Sequence, residues 1–255
     1  MNDPSFLKAR RNLSRGFSLI EMAIVLLIMG LLLGGGLALL GPQIEAQKFK
    51  DTQRTLEDAK EALIGFALAN GRLPRPATST VNGTEDPVTC GVSEAICTGY
   101  IPWTTLGVNK LDAWGKVIRY SVTPAFTTTF TLSPAPTVPT KKIQTRDAAG
   151  TLVYLAGTAA ACTTLNGCVP AVIFSHGKNN FGITNAGTAI PNSSVGATNL
   201  DEITNNNGAG PGVTFIQRTP SDNTAAAFGG EFDDIVTWLS PNILFNRMVQ
   251  AGRLP

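Results

Sequence analysis

Arg15-Gly16-Phe17-Ser18-Leu19-Ile20-Glu21-Met22 opens an apolar run that continues to Leu40 and holds a single charge, Glu21. As an α-helix the 24 residues from Phe17 to Leu40 would extend about 36 Å at ~1.5 Å per residue. That is enough to cross a ~30 Å hydrocarbon core with some tilt. A carboxylate inside such a segment costs roughly 2.5–3.5 kcal/mol on insertion scales, so it marks a functional position by default. On the N-terminal side, residues 1–16 carry Lys8, Arg10, Arg11 and Arg15 against one acid, Asp3. This imbalance keeps the leader in the cytoplasm and sends the rest of the chain outward. An ordinary secretory signal peptide fits poorly, because the run exceeds the usual apolar length and Leu40-Gly41-Pro42-Gln43 offers no small-x-small cleavage site. A plain signal anchor fits better but leaves Glu21 unexplained.

The quoted stretch resembles the N-terminal signature of type IV prepilins and type II secretion pseudopilins. The resemblance implies that a prepilin peptidase cuts after Gly16 and methylates the new amino terminus at Phe17, and that Glu21 is the fifth mature residue. In a stack of parallel helices the Glu21 carboxylate would be neutralised by the amino terminus of a neighbouring subunit's Phe17. Such pairing offsets the burial of charge in one register alone, so it selects an axial stagger. An acid reaching to the interface and an acid read by the peptidase are further roles, compatible with the first. One feature departs from the family: where pilins often carry a helix-kinking proline, this chain has Ala38. The softer point is then Gly34-Gly35-Gly36, since each glycine weakens a helix by ~1 kcal/mol relative to alanine.

The whole chain has 20 Lys+Arg and 18 Asp+Glu, a net charge of +2 over 255 residues. Removing the leader takes away four bases and one acid, leaving one more acid than base, so no basic surface for nucleic acid is indicated. Only 15% of residues are charged, with 26 glycines and 16 prolines, the profile of a loop-rich extracytoplasmic β domain. Four cysteines fall as two close pairs, Cys90/Cys97 and Cys162/Cys168. Four cysteines allow three connectivities, and the short spacings favour two local bridges in an oxidising periplasm. Zinc is the competing reading, disfavoured by the absence of Cys-x-x-Cys and by a single histidine.

Beyond the apolar run, residues 41–71 read as an amphipathic helix. Ile44, Phe49, Leu56, Ala59, Leu63, Phe66 and Ala67 recur at helical spacing, and Asn70-Gly71 with Pro74 ends it. Residues 72–255 form the expected head. Val117–Val122, Thr127–Leu132, Leu152–Ala156, Val169–Phe174 and Val213–Gln217 read as strands, residues 185–212 as a long surface loop, and Ser240-Pro241 as the start of a terminal helix that Gly252 ends. The expected fold is α+β: a long N-terminal helix packed on an antiparallel sheet, pilin-like.

Three head segments are similar, in order, to elements of major pseudopilins: Leu111-Asp112-Ala113-Trp114-Gly115-Lys116-Val117-Ile118-Arg119-Tyr120, Phe174-Ser175-His176-Gly177-Lys178-Asn179-Asn180, and Asp233-Asp234-Ile235-Val236-Thr237-Trp238. In those relatives the last two segments form a calcium-binding loop. The resemblance places a weak calcium site near Asn179, Asp233 and Asp234, Asn179 standing where the family has an acid. A hydrogen-bonded loop closure without metal is the alternative. His176 beside Ser175 raises a hydrolase reading, countered because adjacent strand residues face opposite ways. Trp103, Trp114 and Trp238 read as core anchors rather than a sugar platform.

The functional expectation is a non-enzymatic subunit of a type IV pilus or a type II secretion pseudopilus. Its partners would be prepilin peptidase, other pilins or pseudopilins, an inner-membrane assembly platform and the membrane, and calcium would be its one cofactor if it has any. The head would sit in the periplasm before joining a filament. A membrane-anchored periplasmic binding protein is the alternative.

Overall fold

The computed structural model describes residues 16–254 except 39, 87–92, 165, 195–197, 207–212 and 223–227; the side chains of 33–40 and 95 also fall outside the described set. The expected leader, apart from Gly16, therefore lies outside the described residues. The chain divides into two units, Met1–Ala46 and Gln47–Pro255.

In the first unit, helix α1 spans Leu19–Ala38, and α2, Leu40–Asn70, begins. Met22 N donates to Ser18 O at 3.1 Å, which starts the helical ladder two residues after Phe17. The expected soft point at Gly34-Gly35-Gly36 is helical. Every described side chain from Phe17 to Leu32 is exposed, and Glu21 is the one charge among them. Among the described residues no helix is long and apolar enough to cross a membrane; the described side chains of α1 end at Leu32.

The second unit holds the rest of α2, which buries Thr52, Leu56, Ala59, Leu63, Ile64 and Ala67. The stripe is rotated slightly from the one expected: Ile64 takes the core position, while Phe66 is half-buried beneath Arg72, whose guanidinium carbon lies 5.3 Å from the ring centroid. Ile44, in the first unit, is exposed. The helix ends as its sequence dictates. Gly71 adopts φ +71°, where a side chain would be strained, and its N–H donates to Ala67 O at 2.8 Å.

Two sheets follow. Strands β1 (Thr98–Tyr100), β2 (Arg119–Val122), β5 (Ala171–Ser175) and β7 (Ile235–Leu239) form an antiparallel sheet in the order β1-β2-β5-β7. Strands β3 (Lys142–Arg146), β4 (Leu152–Ala156) and β6 (Thr214–Ile216) form a second in the order β4-β3-β6. Short helices α3 (Trp103–Leu106), α4 (Leu200–Asn206) and α5 (Pro241–Gln250) complete the unit.

Period-two alternation along β5 organises the interior. Ala171 and Ile173 join Leu56, Leu63, Tyr120, Leu239, Leu244 and Met248 in one core against α2 and α5. Val172 and Phe174 join Ile143, Val169, Phe215 and Val236 in a second core against the smaller sheet. A strand covered on both faces needs an unbroken apolar run, which is what Ala171–Phe174 supplies. The three tryptophans are half-buried and pack against these cores rather than filling them.

The structure corrects several expectations. The sheets are not wholly antiparallel, because β3 pairs parallel with β6 (Ile143 opposite Phe215). Thr127–Leu132 is no strand: Pro124 sets a 3-10 turn over Pro124–Thr127, and Phe126 and Phe130 turn inward with ring centroids 4.9 Å apart. Strands β1 and β3 lack an apolar signature, one holding a glycine and the other a lone Ile143. The expected surface loop at 185–212 contains α4, whose Asp201, Glu202 and Asn205 are buried. Ser240 does precede α5, but its side chain makes no capping bond; Leu244 N donates to its carbonyl.

Candidate functional site

The N-terminal motif has simple geometry. Gly16, Phe17 and Ser18 precede the helix in irregular, exposed backbone, and a Cβ at Gly16 would meet nothing within 4 Å. Packing among the described residues therefore does not require glycine there. Glu21 lies in the first turn of α1 and is exposed, where a negative charge also complements the partial positive charge of the helix terminus.

In the head, the three similar segments meet. Asp112 Oδ1 accepts from Trp114 N at 2.9 Å and Lys116 N at 2.8 Å, closing the turn before β2, and its Oδ2 accepts from Ser175 Oγ at 2.5 Å. Gly177 N donates back to Ser175 Oγ at 3.0 Å. Gly177 has φ +56°, and a Cβ there would lie 2.2 Å from Asp233 O; glycine is needed because two backbones touch. Asn179 N donates to Asp233 Oδ2 at 2.7 Å, and its side-chain amide donates to Glu231 Oε1 at 2.8 Å. The segment after β5 is thus tied to the segment before β7.

The calcium expectation can be tested on these donors. Glu202, Asp233 and Asp234 bring carboxylate oxygens within 4.8 Å of one another, and Asp233 Oδ1 is buried with no hydrogen-bond partner among the described residues. A calcium ion needs some six to eight oxygens, typically including backbone carbonyls. Here the carbonyls of His176, Asn179 and Asn180 all accept from the Lys116 ammonium, those of His176 and Asn180 at 3.0 and 2.8 Å. Asn179 turns an amide donor, not an oxygen, toward its acidic neighbour. The residues present do not fit a bound calcium ion. Burial pushes Asp233 and Asp234 up to about 7 and pulls the Lys116 ammonium down, its loss of hydration outweighing the surrounding carboxylates.

Ser175 and His176 point to opposite sides of β5. The serine faces Asp112, while the His176 ring lies against Phe174 and Phe181, with Nδ1 3.3 Å from Asp234 Oδ1. Both are buried, and the structure does not bring them together as nucleophile and base. Burial, then the charges of Arg119 and Lys116, lower the His176 pKa to about 3. Its neutral form is favoured in the folded state. The stability this gives is present above the unfolded value of about 6.5 and is lost as pH falls toward the folded value. His176→Gln should therefore remove one proton from the pH dependence of unfolding. Denaturant titrations at a series of pH values should show the variant's acid-side slope differing from wild type by ~1.4 kcal/mol per pH unit between about pH 6 and 4. Parallel profiles would mean that His176 is protonated in the fold.

Sequence reasoning missed the polar centre around α4. Glu202 Oε2 accepts from Asn180 Nδ2 at 2.9 Å and Asn199 Nδ2 at 2.7 Å, and its Oε1 accepts from Asp233 N at 2.9 Å. Asn205 bridges Ile216 and Asp234: its Nδ2 donates to Ile216 O and Asp234 Oδ2, both at 2.8 Å, and its Oδ1 accepts from Ile216 N at 2.6 Å. The available signal was Asn199 ahead of Asp201 and Glu202, a helix-start pattern hidden in an asparagine-rich stretch.

Cys162 and Cys168 form a disulfide with Cα atoms 5.9 Å apart. Of the other expected bridge, Cys90 lies outside the described residues, and Cys97 is buried and disulfide-bonded.

With this geometry in place, the comparisons with known proteins bear on the N-terminal segment. Residues 11–37 match the family model described as the prokaryotic N-terminal methylation motif, the type IV pilin and pseudopilin signal. The match includes Gly16, Phe17 and Glu21 and none of the head. No curated protein and no solved structure matches the chain.

Proposed function

We propose that this chain is a structural subunit of a type IV pilus or a type II secretion pseudopilus. A prepilin peptidase processes it, the inner membrane holds it through the apolar N-terminal segment, and an assembly platform adds it to a filament. The observation that carries this reading is the methylation motif at residues 11–37, with Gly16 before an aromatic and one acid inside an apolar helix. A further feature supports it: the exposed, apolar surface of α1 needs a hydrophobic partner or lipid. The filament role is non-enzymatic, with the head on the far side of the membrane from the basic leader.

Intact-mass analysis of membrane fractions tests the proposal. The mature chain should lack Met1–Gly16 and begin with methyl-phenylalanine. Gly16→Asp should remain full-length and membrane-bound, because apolarity drives insertion while cleavage needs a small residue, and among the described residues a Cβ at Gly16 meets nothing within 4 Å. Full-length wild-type protein in a host with active prepilin peptidase would refute the assignment.

A further inference from the structure

We infer that the Lys116 ammonium serves as the built-in cation of the loop that joins residues 176–180 to 231–234, holding the place that a bound metal ion would otherwise take. This concerns the head alone and stands whether or not the chain is a filament subunit.

Lys116 directly follows the turn that Asp112 closes, and its backbone N–H is fixed by Asp112 Oδ1. The side chain is 3% exposed and runs inward, so that its amine meets the carbonyls of His176, Asn179 and Asn180. An ammonium has three N–H donors and no acceptor, and three carbonyl oxygens satisfy it completely. Carbonyl dipoles aimed at a common point repel one another unless a positive charge sits there. The backbone of 176–180 is thus shaped around a cation.

Asp112, Glu202, Asp233 and Asp234 surround the amine and act on it electrostatically. Three of these acids converge within 4.8 Å, and one oxygen, Asp233 Oδ1, is buried without a hydrogen bond among the described residues. Lys116 supplies positive charge to this group of acids. A tethered cation differs from a dissolved one in two ways. It does not dissociate, and the loop's closure does not depend on the metal concentration outside the protein.

The test uses the full chain in detergent. Chelation with EDTA, or addition of millimolar Ca2+, should leave the wild-type unfolding midpoint within ~1 °C, and Tb3+ should give no tryptophan-sensitised emission from a stoichiometric site. Lys116→Ala removes the charge and opens a space lined by carbonyls and acids. Its midpoint in EDTA should fall by roughly 5–10 °C, and Ca2+ should restore at least half of the loss. Lys116→Met, which keeps the stem in place, should fall similarly and not respond to Ca2+. The inference is overturned by a wild-type midpoint that chelation lowers, by stoichiometric Tb3+ binding to wild type, by Lys116→Ala as stable as wild type without metal, or by a destabilised Lys116→Ala that Ca2+ does not restore. If Lys116→Ala fails to accumulate, the wild-type Tb3+ and chelation measurements decide alone.

Discussion

Glu21→Ala should be inserted and cleaved normally yet be absent from filaments. Three magnitudes separate these steps. Insertion becomes easier, because removing a carboxylate from an apolar helix relieves roughly 2.5–3.5 kcal/mol. Helix formation loses at most about 0.3–1 kcal/mol of charge–dipole stabilisation at the first turn, which the rest of α1 tolerates. Assembly, by contrast, would leave the positive amino terminus of a neighbouring Phe17 in the bilayer core without a partner, and an uncompensated buried charge costs several kcal/mol. Glu21→Gln should behave like alanine, whereas Glu21→Asp should retain part of the incorporation. Crosslinking to other pilins and a processing assay in the same cells measure both steps. Wild-type incorporation of the alanine variant would show that the charge does not set the stagger.

The largest loss of stability is expected from Asp201→Ala. Asp201 is buried in α4 and accepts three charged hydrogen bonds: from Arg146 Nη2 at 2.7 Å and Nε at 2.8 Å, and from Arg218 Nε at 2.7 Å. Arg146 ends β3 and Arg218 follows β6, so one carboxylate joins α4 to two strands of the smaller sheet. Contact with Asp201 raises the Arg146 pKa, and a guanidinium is charged with or without such a partner, so removing the acid leaves buried positive charge uncompensated. Breaking a buried pair from one side costs about 3–5 kcal/mol, a large share of the 5–15 kcal/mol typical of a domain. Arg146→Ala should cost less, since Arg218 continues to balance Asp201. Urea unfolding of the two variants and wild type checks the order; a loss below ~1 kcal/mol for Asp201→Ala would mean that solvent reaches the cluster.

Apolar periodicity made much of this molecule legible. The run from Phe17, the stripe on α2, the stop at Asn70-Gly71 and strands β2, β4 and β5 all follow from where hydrophobic side chains recur. Reading failed where burial is polar. Helix α4 turns Asp201, Glu202 and Asn205 inward, so its buried face looks like a solvated one until Arg146, Arg218 and Asn180 are seen against it. Lys116 failed for the same reason: within Ala113-Trp114-Gly115-Lys116-Val117 nothing in the spacing distinguishes a buried ammonium from a surface one. The resemblance named two segments that Asn179 and Asp233 tie together, but nothing in either of them pointed to the Lys116 ammonium that meets the carbonyls of the first. Partner identity in such sites is set by residues distant in sequence, and one chain read alone does not display that pairing.

The order of strands bears on how the molecule comes together during synthesis. Strand β7 contributes Ile235 and Leu239 to one core and Val236 to the other, and α2 meets the C-terminal helix through Glu61 and Arg247, 186 residues apart. Neither core is therefore complete until residues 235–239 have left the ribosome. Such long-range pairing carries its loop-closure entropy before any reward and belongs to topologies that fold in milliseconds to seconds rather than microseconds. Until β7 is in place, the edge of β5 that pairs with it is open and both cores lack part of their lining, a vulnerability fixed by strand order and not by any single contact.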